Sequence, residues 1–296
     1  MSQPALLLTG ANGRTGRAVL RSLSSSGVAV RAFVRQASQA DELKKLGARE
    51  ISVGDLMDTE SLNAAVEGVS KILHIGPPMH PDEVDITGRL IEPAKRNNID
   101  HFVYYSVMHP LRREVRHHRL KLEAEESLVE SGLPFTILQP ARYMQHLEPI
   151  WRRVVDEGIH EMPFSVEKKF NVVDLADLAD ACAIVASSDR HLYATYELAG
   201  PEALSQEDMA QVISQVLGRA VTARQLSWEA TKERATRAGA SEDRISQMLV
   251  MNRHYDNHGF RGNSNVLEYL LGRPATRFSA YVSALQAREL EGAGRS

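Results

Sequence analysis

Along the first half of the chain, short runs of β-branched and leucine residues alternate with longer stretches whose apolar residues recur every three to four positions. That alternation predicts a parallel sheet covered by helices on both faces. Strands are expected at Ala5 to Thr9, Ala29 to Arg35, Glu50 to Val53, Lys71 to Ile75, Phe102 to Ser106 and Phe135 to Gln139. The intervening helices fall at Arg14 to Ser26, Gln39 to Leu46, Ser61 to Val66, Asp85 to Asn97 and Leu120 to Glu130. Ser131-Gly132 ends the last of these, glycine accepting the left-handed cap conformation.

After Pro140 the regular alternation lapses. Helical spacing is found at Trp151 to Asp156, Leu175 to Ala186, Gln206 to Leu217 and Trp228 to Ala238, with short strands around Phe170 to Val173 and Tyr196 to Leu198. The pattern divides the chain into a core, residues 1–150 completed by 170–198, and a second part, mostly 151–296, that reads as a cap. There is no internal repeat, and only the last residues, Glu291 to Ser296, read as a disordered tail.

Composition narrows the function classes. A net charge of -3 with 25% charged residues offers no global field for phosphate backbones, so nucleic acid is not an expected partner. No segment approaches the roughly 18 to 20 apolar residues of a membrane span, and no basic, then apolar leader opens the chain. A cytoplasmic protein is expected. The single cysteine, Cys182, lies in the helical run DLADLADACAIVA and reads as a small buried hydrophobe.

The sharpest motif is Thr9-Gly10-Ala11-Asn12-Gly13-Arg14-Thr15-Gly16, set between the first strand and the first helix. Glycines at this GxxGxxG spacing allow a tight turn, close approach of backbone amides to a pyrophosphate, and close packing of helix on sheet. The helix N-terminus adds free N–H groups facing the anion. The second strand ends in Phe33-Val34-Arg35-Gln36, without the carboxylate that would bind a ribose 2′-hydroxyl. Arg35 stands where a 2′-phosphate would lie, with Arg14 nearby. A charge-assisted hydrogen bond of roughly 1.5–3 kcal/mol gives about ten- to a hundredfold preference for NADP(H). Asp55, in Gly54-Asp55-Leu56, is placed either to bond an adenine amino group beside Leu56 or to cap a turn.

These residues and several later stretches resemble the NmrA-like family of atypical short-chain dehydrogenases/reductases. The likeness runs through LLLTGANGRTG, VRAFVRQ, GDLMD, FVYYSV, HHRLKLEAEESLVESGLPFTILQPARYM, FNVVDLADLADA and YELAGPEALSQEDMA, nearly the whole chain. It implies an α/β fold: a Rossmann-type doubly wound parallel sheet with a smaller C-terminal α+β substrate-binding part. It implies NADP(H) held by Gly10, Asn12, Gly13, Arg14, Thr15, Gly16, Arg35, Asp55, Leu56, Ile75, Gly76, Pro77, Ser106 and Lys121, with Gln139, Pro140 and Tyr143 at the nicotinamide end. The activity implied is NADPH-dependent reduction of a small organic acceptor by hydride transfer. Another class stays open, a non-catalytic NADP(H) sensor that regulates a protein partner, and so does a homodimer.

Typical short-chain reductases carry YxxxK, in which the phenol donates a proton. This chain has His117-His118-Arg119-Leu120-Lys121 instead, so His117 has the spacing of the tyrosine and Lys121 that of the lysine. Lys121 would fix the ribose, Ser106 would polarise the acceptor, and His117 would be its proton donor or part of an exposed basic helix start. A nearby ammonium lowers an imidazole pKa, which makes His117 a poor acid for ordinary ketones. Quinones, enones and activated carbonyls, whose reduced products need little protonation, are the acceptors expected to tolerate this. Met79, His80, Tyr143, His254, Tyr255 and His258 are the substrate-pocket candidates. No metal is expected, because the i,i+4 pair His254 and His258 needs a helix that Gly259 and polar neighbours argue against. Arg112, Arg113, Arg116 and Arg119 read as an anion patch or, more simply, a solvated face.

Overall fold

The computed structural model describes residues 5–293. The elements in chain order are β1 (Ala5–Leu8), α1 (Arg14–Ser25), β2 (Val30–Val34), α2 (Ala40–Lys45), β3 (Glu50–Val53), α3 (Thr59–Val66), β4 (Val69–Ile75), α4 (Glu83–Arg96), β5 (His101–Tyr105), α5 (Arg116–Glu130) and β6 (Phe135–Pro140). There follow β7 (Arg142–Tyr143), α6 (Trp151–Glu157), β8 (Ile159–Met162), β9 (Phe170–Val173), α7 (Leu175–Ala186), β10 (Ala194–Leu198), β11 (Glu202–Leu204), α8 (Gln206–Leu217) and β12 (Thr222–Gln225). The chain closes with α9 (Trp228–Arg237), α10 (Glu242–His258), α11 (Asn265–Leu271) and α12 (Phe278–Ala293).

Two compact units result. The first comprises Met1–Arg113, His117–Pro140 and Leu175–Glu197. Its sheet has the order β10-β6-β5-β4-β1-β2-β3, with β1 to β6 parallel. Leu7, Ile72, Phe102 and Tyr104 of the sheet meet Leu62, Leu90, Ala124 and Leu128 of the helices in one buried cluster. Helix α1 turns Gly16, Val19, Leu20 and Leu23 inward, the one-sided stripe that the periodicity required. Helix α7 packs on α1, where Ser22 Oγ donates to Asp180 at 2.9 Å. Cys182 of α7 is buried, and burial pushes its thiol pKa upward.

The second unit comprises Glu114–Arg116, Ala141–Asp174 and Leu198–Ser296. It holds a small sheet β11-β9-β7, a two-stranded β12-β8 pair and the later helices. Met144, Trp151, Val154, Met209, Ile213, Phe278, Tyr281 and Val282 form its core. Phe170–Val173, grouped by the sequence pattern with the dinucleotide core, pairs here as β9 with β7 and β11. Three helices, α10, α11 and α12, went unread in the sequence. Helix α12 runs through Glu291 to Ala293, against the disordered tail expected at Glu291 to Ser296; residues 294–296 lie outside the described residues.

Candidate functional site

The glycine turn follows β1 at the C-terminal edge of the parallel strands, the side on which such folds bind ligands. Gly10 has φ +63°, and a Cβ there would stand 2.5 Å from the carbonyl oxygen of Ile75. A Cβ at Gly16 would lie 2.1 Å from the Gly10 oxygen, so the helix can approach the turn only as glycine. Gly13 is the N-cap of α1 and offers no side chain to its first-turn N–H groups, leaving that end suited to an anion. Asn12 is held from behind: Arg17 Nη2 donates to its Oδ1 at 2.6 Å and pairs with Glu42 at 2.5 Å. Arg14 and Arg35 are exposed beside this turn and after β2. Asp55 Oδ1 accepts from the Met57 N–H at 2.8 Å, so one of its oxygens closes a local turn.

Behind the loop after β4 lies a buried polar network. Glu83, in the first turn of α4, accepts from Lys121 Nζ at 2.6 Å and from the Tyr104 phenol at 2.7 Å. Lys121 also donates to the Tyr105 carbonyl at 3.0 Å, so two of its three ammonium protons are engaged within the protein. Burial raises the Glu83 pKa, but the Lys121 charge and the two hydrogen bonds outweigh it and hold the carboxyl below its ordinary value. His74 stacks on Tyr104 with centroids 5.8 Å apart, and its Nδ1 lies 2.7 Å from Thr9 Oγ1. Ile75 is buried at the end of β4; Gly76 and Pro77 follow, half-buried.

A second carboxylate closes the end of β5. Ser106 Oγ donates to Glu125, and Gln139 Nε2 donates to the same group at 2.9 and 3.0 Å. Burial raises the Glu125 pKa, while Ser106 and Gln139 partly oppose the rise. Pro140, one residue on, accepts from the Met108 N–H at 2.9 Å. Helix α5 begins at Arg116, earlier than the expected Leu120, which brings His117 and His118 into its first turn. His117 has its pKa lowered to about 4, by burial first and by Lys121 second. It is therefore neutral near pH 7 and no exposed basic helix start.

Neither Glu83 nor Glu125 was singled out in the sequence. Glu83 precedes the helix that the sequence pattern starts at Asp85, and Glu125 stands beside Glu123 and Glu126 in a charge-rich stretch. The spacing to Leu128 and Ala124, which are buried on the same helix, was the available signal.

The substrate-pocket candidates separate between the units. In the first, Met79 takes φ +56° in the β4–α4 loop, and His80 Nδ1 accepts from the Asp82 N–H at 3.2 Å. In the second, Tyr143 stacks on His146 with centroids 5.6 Å apart, and Tyr255 is buried against Phe260 at 4.8 Å. His254 and His258 face each other at 4.6 Å on α10. The helix denied to them exists because Ser241 caps its start and Gly259, at φ +67°, follows its last residue instead of interrupting it. His254 Nδ1 lies 3.5 Å from Glu114. Among the described residues, no group of three or more His, Cys, Asp or Glu is arranged to hold a metal ion. No described helix is long and apolar enough to cross a membrane.

A glycine turn between the first parallel strand and an uncapped helix, at the edge of a doubly wound sheet, makes the first unit a Rossmann-type dinucleotide fold. The NmrA-like family model matches residues 2–282, and the chain belongs to that family. The NAD(P)H azoreductase of Xenophilus azovorans is 29% identical over 280 residues, 94% of this chain and 97% of that protein. Quinone oxidoreductase 2 of Escherichia coli (strain K12) is 28% identical over 287 residues, 95% and 98% of the two chains. The crystal structure of an NADPH-dependent quinone oxidoreductase of Escherichia coli complexed with NADPH superposes with a TM-score of 0.83 at 25% identity, covering 95% and 99%.

Proposed function

We propose that this protein is an NADPH-dependent reductase whose acceptor is a quinone, an enone or an activated carbonyl. The observation that carries the reading is the pairing of a complete dinucleotide turn with an imidazole, His117, neutral near pH 7, at the spacing where typical short-chain reductases carry their tyrosine acid. Gly10, Gly13 and Gly16 shape the turn, the α1 N-terminus receives the pyrophosphate, and Arg35 receives the 2′-phosphate. When bound, NADPH supplies the hydride. Lys121, anchored by Glu83 and the Tyr105 carbonyl, keeps one N–H for the ribose. Ser106 polarises the acceptor by turning its single hydroxyl proton from Glu125, which Gln139 also holds, to the bound carbonyl oxygen. His117, neutral at pH 7, offers at most a hydrogen bond. Acceptors that form stabilised anions suffer least from that deficit.

The test is NADPH oxidation by purified protein, followed at the reduced-nicotinamide absorbance with matched quinones, enones, aldehydes and simple ketones. Turnover with the first two classes and little with simple ketones is expected. Tight NADPH binding with no turnover of any class would reject the reductase reading and leave a sensor of the NADP+/NADPH ratio.

A further inference from the structure

We infer that the second unit contains an oxyanion subsite built on Arg142, which recognises a carboxylate or sulfonate carried by an aromatic acceptor. The word acceptor rests on the reductase reading; the subsite itself does not.

Arg142 lies on β7, opposite Val172 of β9. Its guanidinium carbon stands 5.3 Å from the centre of the Phe164 ring, and Nη2 is 3.8 Å from the sulfur of Met162, a weak acceptor. Among the described residues no carboxylate pairs with it. The group is enclosed well enough that burial pulls its pKa to about 10, with the Tyr255 phenol as the one opposing influence, so it stays charged at neutral pH. Part of the residue nonetheless remains open to solvent.

The absence of a partner is not for want of acids nearby. Strand β8 runs Ile159-His160-Glu161-Met162, and side chains on a strand alternate between its faces. Met162, on the His160 face, is the residue that touches Arg142. Glu161 belongs to the opposite face, where Arg153, Arg224 and Arg234 all converge on it. One face of β8 thus holds an acid with three cations, and the other holds a cation with none.

His160 adds a second, independent sign. It is 2% exposed, and its Nδ1 has no hydrogen-bond partner. Burial first, and the Arg142 charge second, lower its pKa to about 4, so the imidazole is neutral and can present an N–H. A half-buried guanidinium without a carboxylate, close enough to lower the pKa of a buried imidazole whose Nδ1 is unpartnered, is costly in an empty protein and complementary to an incoming oxyanion. A single cation matches a single negative charge, which favours carboxylate or sulfonate over a phosphate dianion. Phe164 and Tyr255, with ring centres 6.3 Å apart, supply an aromatic wall for the body of the ligand.

The experiment compares 2-naphthoate, 2-naphthalenesulfonate and neutral 2-naphthamide by calorimetric titration of the full chain, wild type and Arg142→Met. In the wild type the two anions should bind at least about tenfold more tightly than the amide, the value of a charge-assisted hydrogen bond. In Arg142→Met that preference should fall to within about twofold. Arg142→Lys should keep part of it, because a point charge lacks the planar fork. The methionine variant should melt no lower than wild type, since it removes a half-buried charge that no carboxylate answers. Equal binding of anions and amide by the wild type would overturn the subsite even if no variant folds, and so would an intact preference in Arg142→Met. Anion preference with no NADPH oxidation by any acceptor would keep the subsite and reject the reductase; oxidation by neutral quinones with no anion preference would do the reverse.

Discussion

Acid should unfold the first unit well before its carboxylates are neutralised. His74, His101 and His118 are fully buried there, and burial above all lowers their pKa values to about 4, 4 and 3. Each therefore stays neutral in the folded protein while the unfolded chain takes up its proton near pH 6.5. Stability is complete above that pH and falls as the pH drops toward the folded values, because the unfolded state binds more protons in the interval. Each histidine costs roughly 0.8 kcal/mol at pH 6 and about 2 kcal/mol at pH 5, so the three together cost about 6 kcal/mol at pH 5. That is a large part of an ordinary domain stability of about 5–15 kcal/mol. Urea titrations followed by far-ultraviolet circular dichroism at pH 7.5, 6 and 5, at fixed ionic strength, measure the loss. His101→Gln should flatten the slope by about 1.2 kcal/mol between pH 6 and 5, a little under one proton's worth. Stability unchanged between pH 7.5 and 5, or these imidazoles titrating near pH 6.5 by nuclear magnetic resonance, would refute the reasoning.

Arg35→Ala should lower the preference for NADPH over NADPH's unphosphorylated counterpart by about tenfold or more while leaving the melting temperature unchanged; titrations of both nucleotides decide this. Glu83→Gln should destabilise the protein by about 3–5 kcal/mol, because it leaves the Lys121 ammonium buried without its counter-charge. Adding Lys121→Met should restore much of that loss in a double-mutant cycle, and strictly additive single effects would show that the two groups are not coupled. With the Glu83 pKa lowered, the coupling should be present in full above pH 4.5 and fade as the pH falls through the folded value.

The strands and helices up to Pro140 were legible because each is written locally. Alternating apolar runs fix the layers, and the steric demands of Gly10 and Gly16 act within one turn. The placing of His117 and Lys121 four residues apart on one helix was legible too. The counter-ion of Lys121 was not: Glu83 lies 38 residues away, and only the folding of α4 against β5 and α5 brings them together. Gly259 misled for the opposite reason. A glycine near the end of a polar run reads equally as a breaker or as the residue just beyond a helix, and which it is depends on whether the preceding turn is buried. Tyr255 and Asn252, buried on α10, decided it. Arg142 gave no local sign, because a cation becomes unusual only when its surroundings fail to answer it.

The three-part make-up of the first unit bears on how the chain is built in time. Helix α7 and strand β10 complete a sheet begun by β1, yet they leave the ribosome after β7, α6, β8 and β9, which belong to the other unit. The nascent sheet must wait with β6 as an open edge and α1 without its α7 partner until Glu197 has emerged. Pairing across so long a sequence separation is slow, and an exposed strand edge invites association with other chains. A stall placed before α7 should therefore yield an aggregation-prone intermediate, and one placed after β10 a protease-resistant sheet.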